Sequence, residues 1–355
     1  MTTFRKQALA LAVLGAITVA GCGGNSTTAD SKASAGVKRT GVITGFGSVY
    51  VNGVKYKTET AAAEDGGVCT MSFPPICYIP VTVEGQKGSM DDLEIGMVVT
   101  LEGSVNADGT TGVATHISYS DELEGVVSAV NIAANGSGTL TVMGQAVKVS
   151  ATTTFESDVA AVTAMNLIVS GNIVEISGYS AGDGNIVATR VEVKKAAWEA
   201  GDEIEVKGVI SELNETEGPG MSSTKTFMLG MLKVYYFVND TTIAKPTLAN
   251  GLYVKVTSTE PPVGNMLKAS KVEVEGDGKK GVDGEAGDEF ELEGVVSTVD
   301  STTEFVLNGQ TVLIDSNTKF ENGLAPMIAA DAKLEVEGML NADGKLVANE
   351  IKFHN

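Results

Sequence analysis

Histidine, cysteine and tryptophan are nearly missing from these 355 residues, with two, three and one of each. Two histidines, His116 and His354, leave a Ser-His-Asp or Cys-His arrangement short of a base, and no Gly-x-Ser-x-Gly elbow occurs. His116 sits between Thr115 and Ile117 in an alternating stretch, with no second histidine or cysteine to complete a metal set, and reads as an exposed strand residue. Nothing assigns His354 a role. Basic residues are also short: 25 Lys and Arg face 45 Asp and Glu, a net charge of −20. Such an anion is repelled by phosphate backbones and by anionic lipid, which argues against a nucleic-acid partner. Helical periodicity is confined to single turns near Ser89–Leu93, Ala160–Ala164 and Ala325–Ala330. Acids are abundant, yet nothing in the order of residues singles out a catalytic pair.

The N-terminus carries Arg5 and Lys6, then an apolar run from Ala8 to Ala20. That run is shorter than the roughly 20 residues a spanning helix needs and has the form of a secretory signal. Val19-Ala20-Gly21-Cys22 follows and resembles the bacterial lipoprotein signal, although valine is less usual than leucine at its start. The resemblance implies cleavage after residue 21, acylation of Cys22 and a membrane anchor. It further implies the outer membrane, because Gly23 rather than aspartate follows the cysteine. Cleavage leaves 355 − 21 = 334 residues and, without Arg5 and Lys6, a charge of about −22. Residues 22–37 are small and polar and read as a tether of about 20 Å mean span. Several acyl chains hold firmly, at about 0.8 kcal/mol per buried CH₂.

Beyond the tether one unit is written four times. Glu122-Leu123-Glu124-Gly125-Val126-Val127-Ser128 returns as Glu291-Leu292-Glu293-Gly294-Val295-Val296-Ser297, with weaker echoes around Gly208 and Gly41. Glycines 41, 125, 208 and 294 are 84, 83 and 86 residues apart, a domain-sized period rather than a solenoid's. Within each unit apolar and charged residues alternate, as Phe290 and Leu292 do with Glu289, Glu291 and Glu293, so each sheet is expected to have one apolar and one solvated face. Each unit has a tight hairpin signal: Asn52-Gly53, Met143-Gly144, Gly230-Met231 and Asn308-Gly309. Five or six short strands in about 70 residues suit a small closed barrel. The expectation is all-β: four tandem small antiparallel barrels of OB or SH3-like type, at 38–119, 120–195, 202–275 and 288–355, each with its own interior. An acidic Gly-rich linker occupies 276–287 and a disulfide insertion lies in the first barrel. Trp198 is expected to pack between barrels two and three.

The Gly-Val-Val-Ser opening, the Gly-Gln hairpin (Gly144-Gln145, Gly309-Gln310), the Val-Glu-Gly or Ile-Ser-Gly strand (Val336 to Gly338, Ile176 to Gly178) and the Ile/Leu-Val-Ala ending resemble an uncharacterised family of bacterial envelope lipoproteins. Its members are built from tandem copies of a small β-barrel domain of unknown function. The likeness is strongest in repeats two and four. Repeat three departs from it, with Thr257-Ser258 where the others have Ser-Gly or Glu-Gly.

Few residues invite a functional reading. Cys69 and Cys77, close together in an exported chain and without a Cys-x-x-Cys spacing, are expected to form a disulfide worth roughly 2–3 kcal/mol. They bracket an apolar insertion, Val68 to Ile79, in which Phe73 and Tyr78 are candidate partner contacts. The plainer alternative is a lid packed on its own barrel. Tyr235 and Tyr236 form a second aromatic candidate, although alternation must put at least one ring of Tyr235–Phe237 outside. Asp277, Asp283, Glu285 and Asp288 offer oxygen ligands for calcium, but their order does not fit an EF-hand loop and a solvated spacer is the simpler reading. No cofactor is called for. Together these features point to a non-enzymatic, membrane-anchored binding or structural module whose partner is an envelope protein or polymer. The alternatives are a periplasmic ligand- or divalent-ion-binding protein and a carboxylate enzyme acting on envelope polymer.

Overall fold

The computed structural model describes residues 37–60, 67–71, 73, 75–181, 185–216, 223–238, 247–276, 282 and 284–354. Period-2 alternation becomes strand almost throughout, and the helical content among the described residues is three single 3-10 turns, Met90–Asp92, Met165–Leu167 and Ala325–Met327. At the first, the Asp92 carboxylate accepts from the Ser89 N–H at 2.8 Å, closing the turn through the residue expected to cap it.

The strands close into four five-stranded barrels. Barrel one uses Val37–Gly45, Val49–Val51, Val54–Lys57, Val98–Val105 and Thr111–Tyr119; barrel two uses Leu123–Ile132, Gly138–Val142, Gln145–Val149, Ile173–Ser180 and Ile186–Lys195. Barrel three uses Ile204–Thr216, Thr224–Leu229, Leu232–Phe237 and Tyr253–Ser258, with a last strand split into Met266–Lys268 and Lys271–Gly276. Barrel four uses Glu289–Ser301, Glu304–Leu307, Gln310–Leu313, Lys333–Leu340 and Leu346–Phe353. In each, strands run around the barrel in the order one, two, three, five, four and back to one, with three and five parallel and the other pairs antiparallel. Closure leaves few unpaired edges.

The repeated glycines are explained by this closure. In the hairpin between strands two and three, the first turn residue takes positive φ in every barrel: Asn52 50°, Met143 50°, Gly230 55°, Asn308 46°. That turn folds back over the opening-strand glycine. A Cβ on Gly41 would lie 1.8 Å from Asn52 Oδ1, one on Gly125 2.2 Å from Met143 Cγ and one on Gly294 2.8 Å from Asn308 Cβ. In barrel three the turn residue is itself glycine, and a Cβ on Gly208 would meet nothing closer than Leu229 at 3.5 Å.

A second glycine lets strands four and five cross closely. A Cβ on Gly103, Gly178 or Gly338 would lie 2.3–2.4 Å from the carbonyl oxygen of Val113, Val187 or Val347, and register shifts occur at these crossings. Barrel three has Ser258 in that place, and there the closing strand is broken at Ala269–Ser270. The departure noted in Thr257-Ser258 is therefore a change of backbone path.

Two expectations need correction. The interiors are not four separate cores. Barrel one is filled by Ile43, Val51, Leu101 and Ile117 and barrel four by Leu292, Leu307, Val336 and Ile351. Barrels two and three instead share one cluster running from Leu123 and Val193 to Val256 and Val272, against which Trp198 packs. Backbone pairing explains the merger: Leu123 pairs with Val206 and Glu124 with Glu205, so one sheet spans both barrels. A second sheet spans barrels one and four through the parallel register Lys38–Phe290, Arg39–Glu291 and Thr40–Leu292.

Nor are the charged faces all solvated. Arg39, Arg190, Lys207, Glu192, Glu291, Glu293 and Glu335 are buried, because the barrels pack against one another over those faces. Tyr179 of barrel two donates to Glu293 of barrel four at 2.8 Å and lies beside Val295, Val42 and Val98, where barrels one, two and four meet.

The glycine geometry sets up a paired test. Gly294→Ala is expected to cost about 1–3 kcal/mol by overpacking against Asn308 and Leu307, whereas Gly208→Ala, equivalent in the repeat, should change stability by less than about 1 kcal/mol in either direction. Thermal unfolding of the two variants checks this; equal losses would contradict the fitted-turn account.

Candidate functional site

The most distinctive surface is the insertion of barrel one, which leaves the barrel after Lys57 and returns through Val81. Glu59–Thr60, Cys77–Tyr78 and Val68–Cys69 form a small antiparallel sheet with the Cys77 strand in the middle. Cys69 lies opposite Cys77 in that register and the two are joined in a disulfide, as expected from their spacing. The base of the loop packs inward, with Cys77 and Ile79 buried on barrel one. Its tip does not: Phe73 and Met71 are fully exposed, and Ile76, Val68 and the neighbouring Phe46 are partly so, at 40–43%. Lid and projecting tip are thus combined in one loop.

Beneath the loop is a cleft of about 590 Å³. Tyr78, Ile79 and Val68 line it from the insertion, Phe46 and Ser48 from the turn after the first strand, Thr58 and Glu59 from the strand leaving the barrel, and Met90, Asp91 and Leu93 from the 3-10 turn. Gly47 and Ser48, at φ 104° and 143°, make the sharp turn that holds the Phe46 ring at the rim. Tyr78, half-buried, is the one aromatic candidate from the sequence that lines this cleft.

The ionisable residues gather elsewhere, at the barrel junctions. Lys207, on the opening strand of barrel three, is 4% exposed. Its ammonium donates to Asp121 Oδ1 at 2.7 Å, Asp121 O at 2.9 Å, Ser120 Oγ at 2.6 Å and Glu84 Oε2 at 3.0 Å. Glu84 belongs to the hairpin Val81–Gly88 and also accepts from the Asp121 N–H at 2.7 Å. Lys255 pairs with Glu205 at 3.2 Å at the same place. Burial acts to lower Lys207, but Asp121 and Glu84 outweigh it and hold the ammonium charged. Burial raises Asp121, and Glu84, close by, is held below its ordinary value because Lys207 and the Asp121 N–H outweigh burial.

Glu84, Asp121 and Glu205 bring their oxygens close enough to hold a metal, but the Lys207 ammonium already binds two of these carboxylates and Lys255 the third. The cluster is an ion-paired junction. Two more buried cations tie barrel one to its other neighbours. Arg39 donates to Glu291 of barrel four at 2.8 Å, with Asn52 on the other carboxylate oxygen at 3.0 Å. Arg190 of barrel two binds Glu94 of barrel one together with Glu156 and Glu192 of its own barrel.

These junctions include a row of five glutamates in register across neighbouring strands: Glu205, Glu124, Glu175, Glu192 and Glu156. Adjacent like charges are destabilising, and Lys194, Lys255 and Arg190 offset most of the row. Among the described residues, Glu124 has no such ion-pair partner. Burial, followed by the Glu175 carboxylate, raises it from 4.5 to about 7.

The remaining sequence candidates fall apart from one another. Tyr236 is 3% exposed and belongs to the shared core of barrels two and three, so alternation removes it from any partner surface; Tyr235 and Phe237 turn outward, their rings edge-to-face at 6.2 Å. Of the calcium candidates, Asp277 and Asp283 lie outside the described residues; Glu285 and Asp288 are exposed, and Asp288 accepts from the Glu285 N–H at 2.9 Å. Cys22 also lies outside the described residues. His116 is half-buried and 3.4 Å from Thr82 Oγ1, while His354 contacts Glu335 at 3.2 Å. Reading the chain linearly missed Lys207, Arg39 and Arg190. A cation in a mostly acidic repeat was the available signal: Lys207 holds the position that is glutamate in barrels two and four.

Closed five-stranded barrels repeated along one chain, on a shared glycine frame, define the class of tandem small-barrel proteins. A family described as a domain of unknown function (DUF5666) matches residues 124–192 and 293–352, so the chain carries that domain twice, in barrels two and four. No curated protein matches the chain. Among solved structures, drosophila Unr CSD456 is similar at 13% identity over 68% of this chain and 97% of that one, with a TM-score of 0.18, too low to carry an argument.

Two outcomes follow. Lys207→Met should destabilise the chain by about 3–5 kcal/mol, because it strands Asp121 and Glu84 without their cation, and adding Asp121→Asn should recover part of the loss; a Lys207→Met variant melting like the parent would contradict the junction. Glu124 binds its proton more tightly folded than unfolded, so its contribution is full below about pH 4.5 and lost as pH rises through about 7. Glu124→Gln should therefore gain stability relative to the parent between about pH 5 and 8, as read from melting temperature against pH.

Proposed function

We propose that this protein is a non-catalytic binding module of the bacterial envelope, anchored by lipid at Cys22 and docking a partner through the stapled loop of barrel one. The exposed tip carries the reading. A soluble monomer has no use for Phe73 and Met71 fully in water at the end of a disulfide-fixed loop, whereas a docking surface does. The disulfide limits the conformations the loop must give up on binding. A non-catalytic role is supported by the converging carboxylates Glu84, Asp121 and Glu205, each ion-paired to a lysine at a barrel junction.

Site-specific photocrosslinking in intact cells tests the docking surface. A benzophenone side chain replacing Phe73 should give a discrete adduct that Met71→Asp abolishes, while the same group replacing Met231, 73% exposed on barrel three, should not. Equal labelling from both positions, or none from position 73, would refute the docking role. Separately, Cys22→Ser should abolish incorporation of labelled palmitate and release the chain from the membrane fraction; label retained in that variant would refute the anchor.

A further inference from the structure

We infer that the cleft beneath the stapled loop is a glycan-binding site, taking a short stretch of a neutral or amine-bearing polysaccharide strand. The inference deepens the envelope-binding role and rests on it, but it concerns a different surface from the exposed tip.

Four observations carry it. The cleft, about 590 Å³, is of the size that holds small ligands. Two aromatic rings line it without being sealed in its walls: Phe46, 43% exposed at the rim, and half-buried Tyr78. Rings presented in this way stack on the C–H faces of a sugar and bury apolar area with little conformational cost. Two carboxylates, Glu59 and Asp91, lie exposed along the same cleft and accept strong, charge-assisted hydrogen bonds from ligand hydroxyl or ammonium groups. Ser48 and Thr58 add hydroxyls that both donate and accept.

The charge of the lining selects among ligands. No lysine or arginine is among the described residues that line the cleft, and the chain as a whole is strongly acidic. A phosphorylated or carboxylated ligand would meet two carboxylates and no cation. An oligonucleotide is disfavoured for the same reason. Rings, carboxylates and hydroxyls with no cation suit a polyol strand, and an amine on that strand adds attraction to Glu59 and Asp91.

Calorimetry on the mature chain tests this with three soluble probes: a tetramer of N-acetylglucosamine, a tetramer of glucosamine and tetralysine. Both sugars should bind with Kd on the order of 1 mM or tighter, the glucosamine tetramer more tightly. Phe46→Ala, at a rim position where truncation spares the core, should weaken both about tenfold or more. Asp91→Asn should weaken the glucosamine tetramer more than the acetylated one. A Phe73→Ser tip variant should bind both sugars as the parent does, which separates this cleft from the docking tip: loss of the crosslink at position 73 with sugar binding intact leaves the cleft standing. No heat with either sugar at about 10 mM, binding indifferent to Phe46→Ala, or binding of tetralysine alone would overturn the glycan assignment.

Discussion

Everything in this molecule depends on how charge is buried between barrels. A small closed barrel has too little interior to do more than hold itself together, and this chain carries 45 Asp and Glu against 25 Lys and Arg. Packing four such bodies together should therefore be opposed by carboxylate facing carboxylate. The opposition is met at three points by single cations, each buried and each shared. Lys207 ties barrel three to the end of barrel one, Arg190 ties barrel two to it, and Arg39 ties it to barrel four. Barrel one is the hub, and it is also the barrel that carries the insertion. Its hairpin Val81–Gly88, which follows the insertion, supplies Glu84 to the Lys207 junction. Buried pairs of this kind are poor sources of net stability and good sources of specificity: one wrong relative placement leaves a charge without its partner.

Much of the fold was legible because its rules are local. Alternation announces strands, and a glycine every 84 residues or so announces a repeat. The structure adds the reason for that glycine, which is the turn residue of the second hairpin folding back over the opening strand. Asn52, Met143 and Asn308 differ chemically, but each needs the space a missing side chain leaves. Repeat three keeps its opening-strand Gly208 and also has glycine at the turn, Gly230, so the close approach is relaxed there, and its last strand is broken where Ser258 replaces its siblings' glycine.

What could not be read was which barrel lies beside which. Glu291 and Glu293 follow the same alternation whether the outer face meets water or another barrel, so the pattern alone assigns them to solvent. The parallel pairing of Thr40 with Leu292 joins residues about 250 positions apart and has no signature in either segment. The candidate site was half legible for the same reason. The cysteines and apolar residues of the insertion mark it in the chain, while Phe46, Glu59 and Asp91 join it only through folding.

That distant pairing has a consequence for how the polypeptide is made. Lys38–Thr40 of the first strand are paired by Phe290–Leu292, a segment synthesised long after the rest of barrel one. Until that later segment is made, this part of the first barrel's flank stays unpaired. A prematurely terminated product would carry that bare flank permanently, with its backbone donors and acceptors open to pairing with other molecules. The fourth barrel covers that flank of the first.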